Sequence, residues 1–240
     1  MGMGTLAGRR IAIAGGAREL EQEVALAFLG AGARVVLGDR SAATARRRAA
    51  RLAHSTGAAV LGARVIAYHE DCFTAFLAEA HARLGGLDVV VNTVEAAPGA
   101  AQAPDLTPAI VGARVAARMF TARGHGHIVN AGSAAGVAGA LGAAVYCATK
   151  YALVEAAGLR GRAVTGDILL STVAPGGAAD AQRIAAAVAD CVAHGRNGLV
   201  TVGDTDPATV QSSSRRTRTR TFPLGLRGSS GRKSTSRGTL

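Results

Sequence analysis

Tyr146 and Lys150 stand four residues apart in the segment YCATK, the spacing that sets two side chains on one face of a helix. An ammonium beside a phenol favours the phenolate and draws a tyrosine pKa down from its usual value of about 10. A tyrosine tuned in this way can pass a proton to or from a carbonyl oxygen. Thirteen residues before Tyr146, Ser133 follows the apolar run HIVNA and opens a Gly/Ala-rich turn. Its hydroxyl, kept accessible there, can hydrogen-bond the same oxygen and orient a substrate. A tyrosine packed on a lysine stem is by itself an ordinary surface pair. The serine at a strand end is what makes the set specific.

Such residues must be carried by regular elements, and residues 1–210 alternate between two kinds. Apolar runs at 10–14, 34–38, 63–67, 87–92, 127–131, 167–173 and 198–203 read as strands. Several are continuous and β-branched, as expected of strands covered on both faces. Helical patterns occupy 19–30, 41–54, 72–83, about 108–123, 146–163 and 181–194. This alternation predicts an α/β fold, a Rossmann-type doubly wound parallel sheet of about seven strands with helices on both faces. Ligands of such sheets bind beyond the carboxyl ends of the strands. The first unit, IAIAGGARELEQEVA, has the strand, double glycine and helix of a phosphate-binding turn.

Together these features closely resemble the short-chain dehydrogenase/reductase family from about Gly8 to Val202. The family's Tyr-x-x-x-Lys appears as YCATK, its upstream serine as Ser133, and its proline–glycine turn as VAPGG with Pro175 and Gly176. The resemblance implies hydride transfer between a nicotinamide and an alcohol or ketone. In it Tyr146 is the acid/base, Lys150 tunes Tyr146 and holds the nicotinamide ribose, and Ser133 polarises the carbonyl. Asp105, in Pro104-Asp105-Leu106, aligns loosely with a family asparagine that holds a relay water; an acidic residue at a helix start is the equal alternative. Asp39, after the second strand, suits the adenosine ribose hydroxyls and repels a 2′-phosphate, which favours NAD. Arg18 and Arg40 pull toward NADP, the less favoured choice.

Departures from the family pattern fall on binding. Where the family has T-G-x-x-x-G-I-G, this chain has Ala14-Gly15-Gly16-Ala17-Arg18-Glu19-Leu20-Glu21. Gly15 and Gly16 keep the tight turn and Leu20 the apolar position, but Glu19 and Glu21 replace two glycines that bring backbone N–H groups to a diphosphate. Alternatively, Glu19, Glu21 and Glu23 serve the positive end of the helix dipole themselves. Asn92-Thr93-Val94-Glu95 keeps the first asparagine only of the family's Asn-Asn-Ala-Gly, and Tyr68-His69-Glu70-Asp71 lacks the first aspartate of the adenine segment. The segment after Glu95 is short, and Pro175-Gly176 runs into the next helix without a substrate lid.

Composition bounds the rest. The chain has 240 residues, 49% of them hydrophobic, which favours a packed globule. Its net charge of +11 is concentrated beyond Gln211, where eight basic residues and no acidic ones lie. Residues 211–240 read as a basic disordered tail, appended to a domain at 1–210; nucleic acid is an unlikely partner, since the tail holds one aromatic and no motif. Cys72, Cys147 and Cys191 lack metal-ligand spacing, and His125 and His127 read as surface residues. No metal, membrane span or leader is expected, so a cytoplasmic protein is. Pairing through helices 108–123 and 146–163 would make a homodimer or homotetramer. Two functions stay open: an active NAD-dependent oxidoreductase, or a fold-retaining protein whose catalysis is impaired or lost.

Overall fold

The computed structural model describes residues 6–15, 19–94, 106–132, 144–145, 148, 167–175, 180–202 and 209–212. Its strands are β1 (Arg10–Ala14), β2 (Arg34–Asp39), β3 (Val60–Arg64), β4 (Val89–Val94), β5 (His125–Gly132), β6 (Asp167–Pro175), β7 (Gly198–Val202) and β8 (Thr209–Ser212). They form one sheet in the order β3-β2-β1-β4-β5-β6-β7-β8. Pairings from β3 through β7 are parallel, and β8 joins the edge antiparallel to β7. The doubly wound sheet expected from the alternation is therefore present, with a short strand added. TVQS has little apolar pattern, so nothing but backbone pairing marks it, and it straddles residue 210.

Helices cover both faces: α1 (Glu19–Gly30), α2 (Ala42–Thr56), α3 (Glu70–Leu84), α4 (Thr107–Arg123) and α5 (Ala181–Ala193). Strand side chains alternate between two cores, as a period of two requires. Ile11 and Ile13 of β1 pack with Phe28 of α1 and Val188 of α5, whereas Ala12 and Ala14 pack with Phe76 of α3 and Phe120 of α4.

β3 begins three residues before the ARVIA run that the sequence suggests. Gly62 hides it, because glycine weakens a strand pattern. A Cβ at Gly62 would overlap the backbone of Ala45 and Arg46, so the glycine is what lets α2 lie directly on β3.

β1 and β4 are tied at their amino ends. The Asp88 carboxylate accepts from Arg10 N at 3.0 Å, Arg10 Nε at 2.9 Å and Arg10 Nη2 at 2.6 Å, while Arg10 Nη1 donates to Gly85 O at 2.6 Å. Burial works against the Asp88 carboxylate, but the Arg10 guanidinium and amide outweigh it and hold its pKa below the usual range.

At the same end of the sheet, His127 departs from the surface reading. It is 5% exposed, its Nε2 lies 2.8 Å from Ser171 Oγ, and that hydroxyl donates to Arg196 O at 2.5 Å. His125, two residues earlier, is exposed. Burial, and then the charge of Arg9, lower the His127 pKa from 6.5 to about 4. A depressed histidine pKa means that the unfolded chain binds the proton first as pH falls, so stability declines between pH 6.5 and about 4. At about 1.4 kcal/mol per pKa unit, the loss is about 3 kcal/mol. Urea unfolding across this window should show a steeper decline for the natural chain than for His127→Gln; parallel curves would contradict the assignment.

Candidate functional site

The carboxyl ends of β1, β4 and β5 lie side by side in register, with Ala14 opposite Asn92 and Asn92 opposite Asn130. This is where the strand order reverses and a doubly wound sheet opens its crevice. Beyond Ala14 the chain bends at Gly15, and α1 starts at Glu19. The two glutamates of its first turn go opposite ways. Glu19 is exposed, while Glu21 is 1% exposed and turned inward. The Thr93 hydroxyl donates to Glu21 Oε1 and lies 3.4 Å from Ala14 O. A Cβ on Gly15 would overlap both Thr93 Oγ1 and Glu21 Oε1. The carboxylate therefore lies against the turn that the motif reserves for phosphate.

Thr93 reads in the sequence only as a lost asparagine. In the fold it is the donor that a buried carboxylate requires. Two departures, at 21 and 93, thus answer one another, and finding a new acid and a new hydroxyl at neighbouring motif positions is the signal that links them.

Asp39 closes β2, is 8% exposed and accepts from Ser41 N at 2.8 Å through Oδ1. Ser41 in turn caps α2, its Oγ accepting from Thr44 N at 3.2 Å. The carboxylate is thereby held at the strand end, where ribose hydroxyls would meet it. Arg40 beside it is exposed, and Leu20 is buried in the core against the sheet. Asn92 is 2% exposed and faces away from Thr93: its Nδ2 donates to Asn130 Oδ1 at 3.1 Å, and a Cβ on Gly112 of α4 would overlap its amide. It braces β4, β5 and α4 together. Pro175 ends β6, opposite Val202 of β7. Gly16, Arg18, Asp105, Ser133, Tyr146, Lys150 and Gly176 lie outside the described residues, as does Cys147. Among the described residues no group of three or more His, Cys, Asp or Glu could hold a metal.

A nicotinamide dinucleotide fits these residues at one end only. Asp39 is a ribose acceptor in the right place. The Glu21 carboxylate against Gly15 is not compatible with a diphosphate, because it brings negative charge and bulk to the place where backbone N–H groups should approach the phosphates.

A family model described as short chain dehydrogenase matches residues 9–189. The inactive 2-(S)-hydroxypropyl-CoM dehydrogenase 2 of Xanthobacter autotrophicus is 33% identical over 144 residues, 55% of this chain and 61% of that protein. The chain thus spans about three fifths of the length of this curated relative. An NADPH-dependent 3-quinuclidinone reductase from Rhodotorula rubra superposes with a TM-score of 0.63 at 19% identity, covering 84% of this chain and 92% of the other. A gluconate 5-dehydrogenase from Burkholderia cenocepacia, in complex with NADP and tartrate, gives a TM-score of 0.61 at 24% identity, covering 83% and 95%. At these identities the likeness to the solved structures is one of fold.

The Glu21–Thr93 contact has a measurable worth. A hydrogen bond to a charged group contributes about 1.5–3 kcal/mol, and its loss leaves the partner undersatisfied. Thr93→Val keeps the shape and removes the hydroxyl, so it should cost about 2 kcal/mol in urea unfolding, with Thr93→Ser costing clearly less. Equal effects of the two substitutions would show that the hydroxyl contributes nothing.

Proposed function

The chain belongs to the short-chain dehydrogenase/reductase family, and we propose that it is a catalytically impaired member of it. It keeps the oxidoreductase fold while its own carboxylate closes the diphosphate seat. One observation carries this reading: Glu21 is buried against Gly15, in hydrogen bond with Thr93. Two unit charges about 5 Å apart repel by about 3 kcal/mol at an effective dielectric of about 20. Half of that is enough for a tenfold loss of affinity, about 1.4 kcal/mol. The likeness to a relative that is itself named inactive supports the same reading.

A second reading, an active enzyme on a small alcohol or ketone, is favoured by the path of β5. That strand runs through Gly132, so the chain reaches Ser133 directly from the carboxyl end of a central strand. The reading assigns Tyr146 as acid/base, Lys150 as its tuning ammonium, Ser133 as the carbonyl donor and Asp105 as a relay residue. It takes NAD over NADP on the strength of Asp39 against Arg18 and Arg40, with Gly15, Gly16, Leu20, Asn92, Pro175 and Gly176 around the cofactor. Assembly as a homodimer or homotetramer belongs to both readings. Among the described residues, no helix is long and apolar enough to cross a membrane.

Titration of the chain with NADH separates the two. The natural chain should bind only in the millimolar range or weaker, and Glu21→Gly should bind at least about tenfold tighter. Micromolar binding by the natural chain, unchanged by Glu21→Gly, would sink the impaired reading and make a screen of ketones the next step.

A further inference from the structure

We propose that the crevice over β1, β2 and β3 takes a nucleoside without a 5′-phosphate, a ribose diol bearing a flat base, in preference to any nucleotide. The proposal rests on the reading that Glu21 closes the diphosphate seat. The disagreement between this chain and the dinucleotide is confined to the phosphates, and what lies on either side of them remains suited to the uncharged part of such a ligand.

Asp39 supplies the first contact. It is 92% buried at the end of β2, and only Oδ1 is used, by Ser41 N. Its second oxygen has no hydrogen-bond partner among the described residues. A carboxylate so nearly buried is costly unless donors reach it, and a vicinal diol brings two O–H donors at once.

Register supplies the second. Ala14 pairs with Gly38, so Gly15 and Asp39 are the next residues on adjacent parallel strands. Such strands lie about 4.8 Å apart, close to the width of a ribose ring. A sugar held through its diol by Asp39 therefore points its 5′ position toward Gly15 and the Glu21 carboxylate. A 5′-hydroxyl is a donor and suits that carboxylate. A 5′-phosphate is an anion and opposes it.

A place for the base is the third. Val65 N donates to Asp39 O at 2.9 Å, and the turn that follows is closed by His69 N to Ile66 O at 3.0 Å. At that turn stands Tyr68, 54% exposed and the one exposed large hydrophobic residue among those described. An aromatic ring beside the ribose acceptor offers a face on which a planar base can stack.

The test is calorimetric titration of the full chain with adenosine, 2′-deoxyadenosine, AMP and NADH. Adenosine should bind at least about tenfold tighter than AMP or NADH, and removal of the 2′-hydroxyl should cost about tenfold. Asp39→Asn, which keeps an acceptor for Ser41 N, should lose adenosine, and Glu21→Gln should strengthen AMP and NADH while leaving adenosine little changed. Absence of adenosine binding to the natural chain overturns the proposal. If NADH then binds to Glu21→Gln alone, closure by Glu21 still stands and only the nucleoside fails. If AMP and NADH bind the natural chain as tightly as adenosine and Glu21→Gln changes nothing, the closure reading fails as well.

Discussion

β1 and β4 lie side by side in the sheet although two helices and two strands separate them in the chain. Everything else is arranged about this seam. On one side the chain builds outward through β2 and β3, and on the other through β5, β6 and β7. The seam is fastened by side chains at both ends. Arg10 and Asp88 join the amino ends through a charged, multiply bonded pair. Glu21 and Thr93 join the carboxyl ends, with Thr93 reaching across to the carbonyl of Ala14. Backbone hydrogen bonds alone would allow the two halves to pair. The polar fastenings make any other register leave buried charge unsatisfied.

The upper fastening is also the reason the site departs from its family. A carboxylate that is almost fully buried must be hydrogen-bonded or neutral. Here it finds a hydroxyl on the adjoining strand and space over a glycine. In a phosphate-binding turn that space belongs to the approaching ligand, and the positive end of the helix belongs to its charge. This chain has given both to its own side chain. The trade costs the diphosphate its seat while leaving the sheet, the helix and the strand end at Asp39 intact.

The two halves of the crevice therefore differ in kind. The adenosine side keeps an acceptor in the expected place, held by the start of α2. The phosphate side is filled. The Ser133, Tyr146 and Lys150 set retains its residue types and spacing, so the departures are concentrated in binding. A fold can tolerate this, because residues that pack the sheet are distinct from those that grip a ligand. Asn92 makes the distinction concrete, since it braces β4 to β5 and presses on α4.

The sequence by itself determined the class of fold and nearly all the strands, because burial on both faces demands continuous apolar runs and helical crossovers demand amphipathic segments between them. It determined Asp39 as a strand-end acid, since its position after RVVLG needs only chain order to read. Three matters were decided by tertiary structure alone. Gly62 looks like a break in a strand until Ala45 of α2 is brought onto it. His127 looks exposed until Ser171 and Arg196, 44 and 69 residues further along, close over it. Glu21 could have turned outward like Glu19, and a helix dipole would have accepted either. Which way it faces depended on Thr93, 72 residues away, lying within reach on the next strand. Long-range pairings of this kind leave no local pattern, because the energy that selects them belongs to two residues that only the folded sheet makes neighbours.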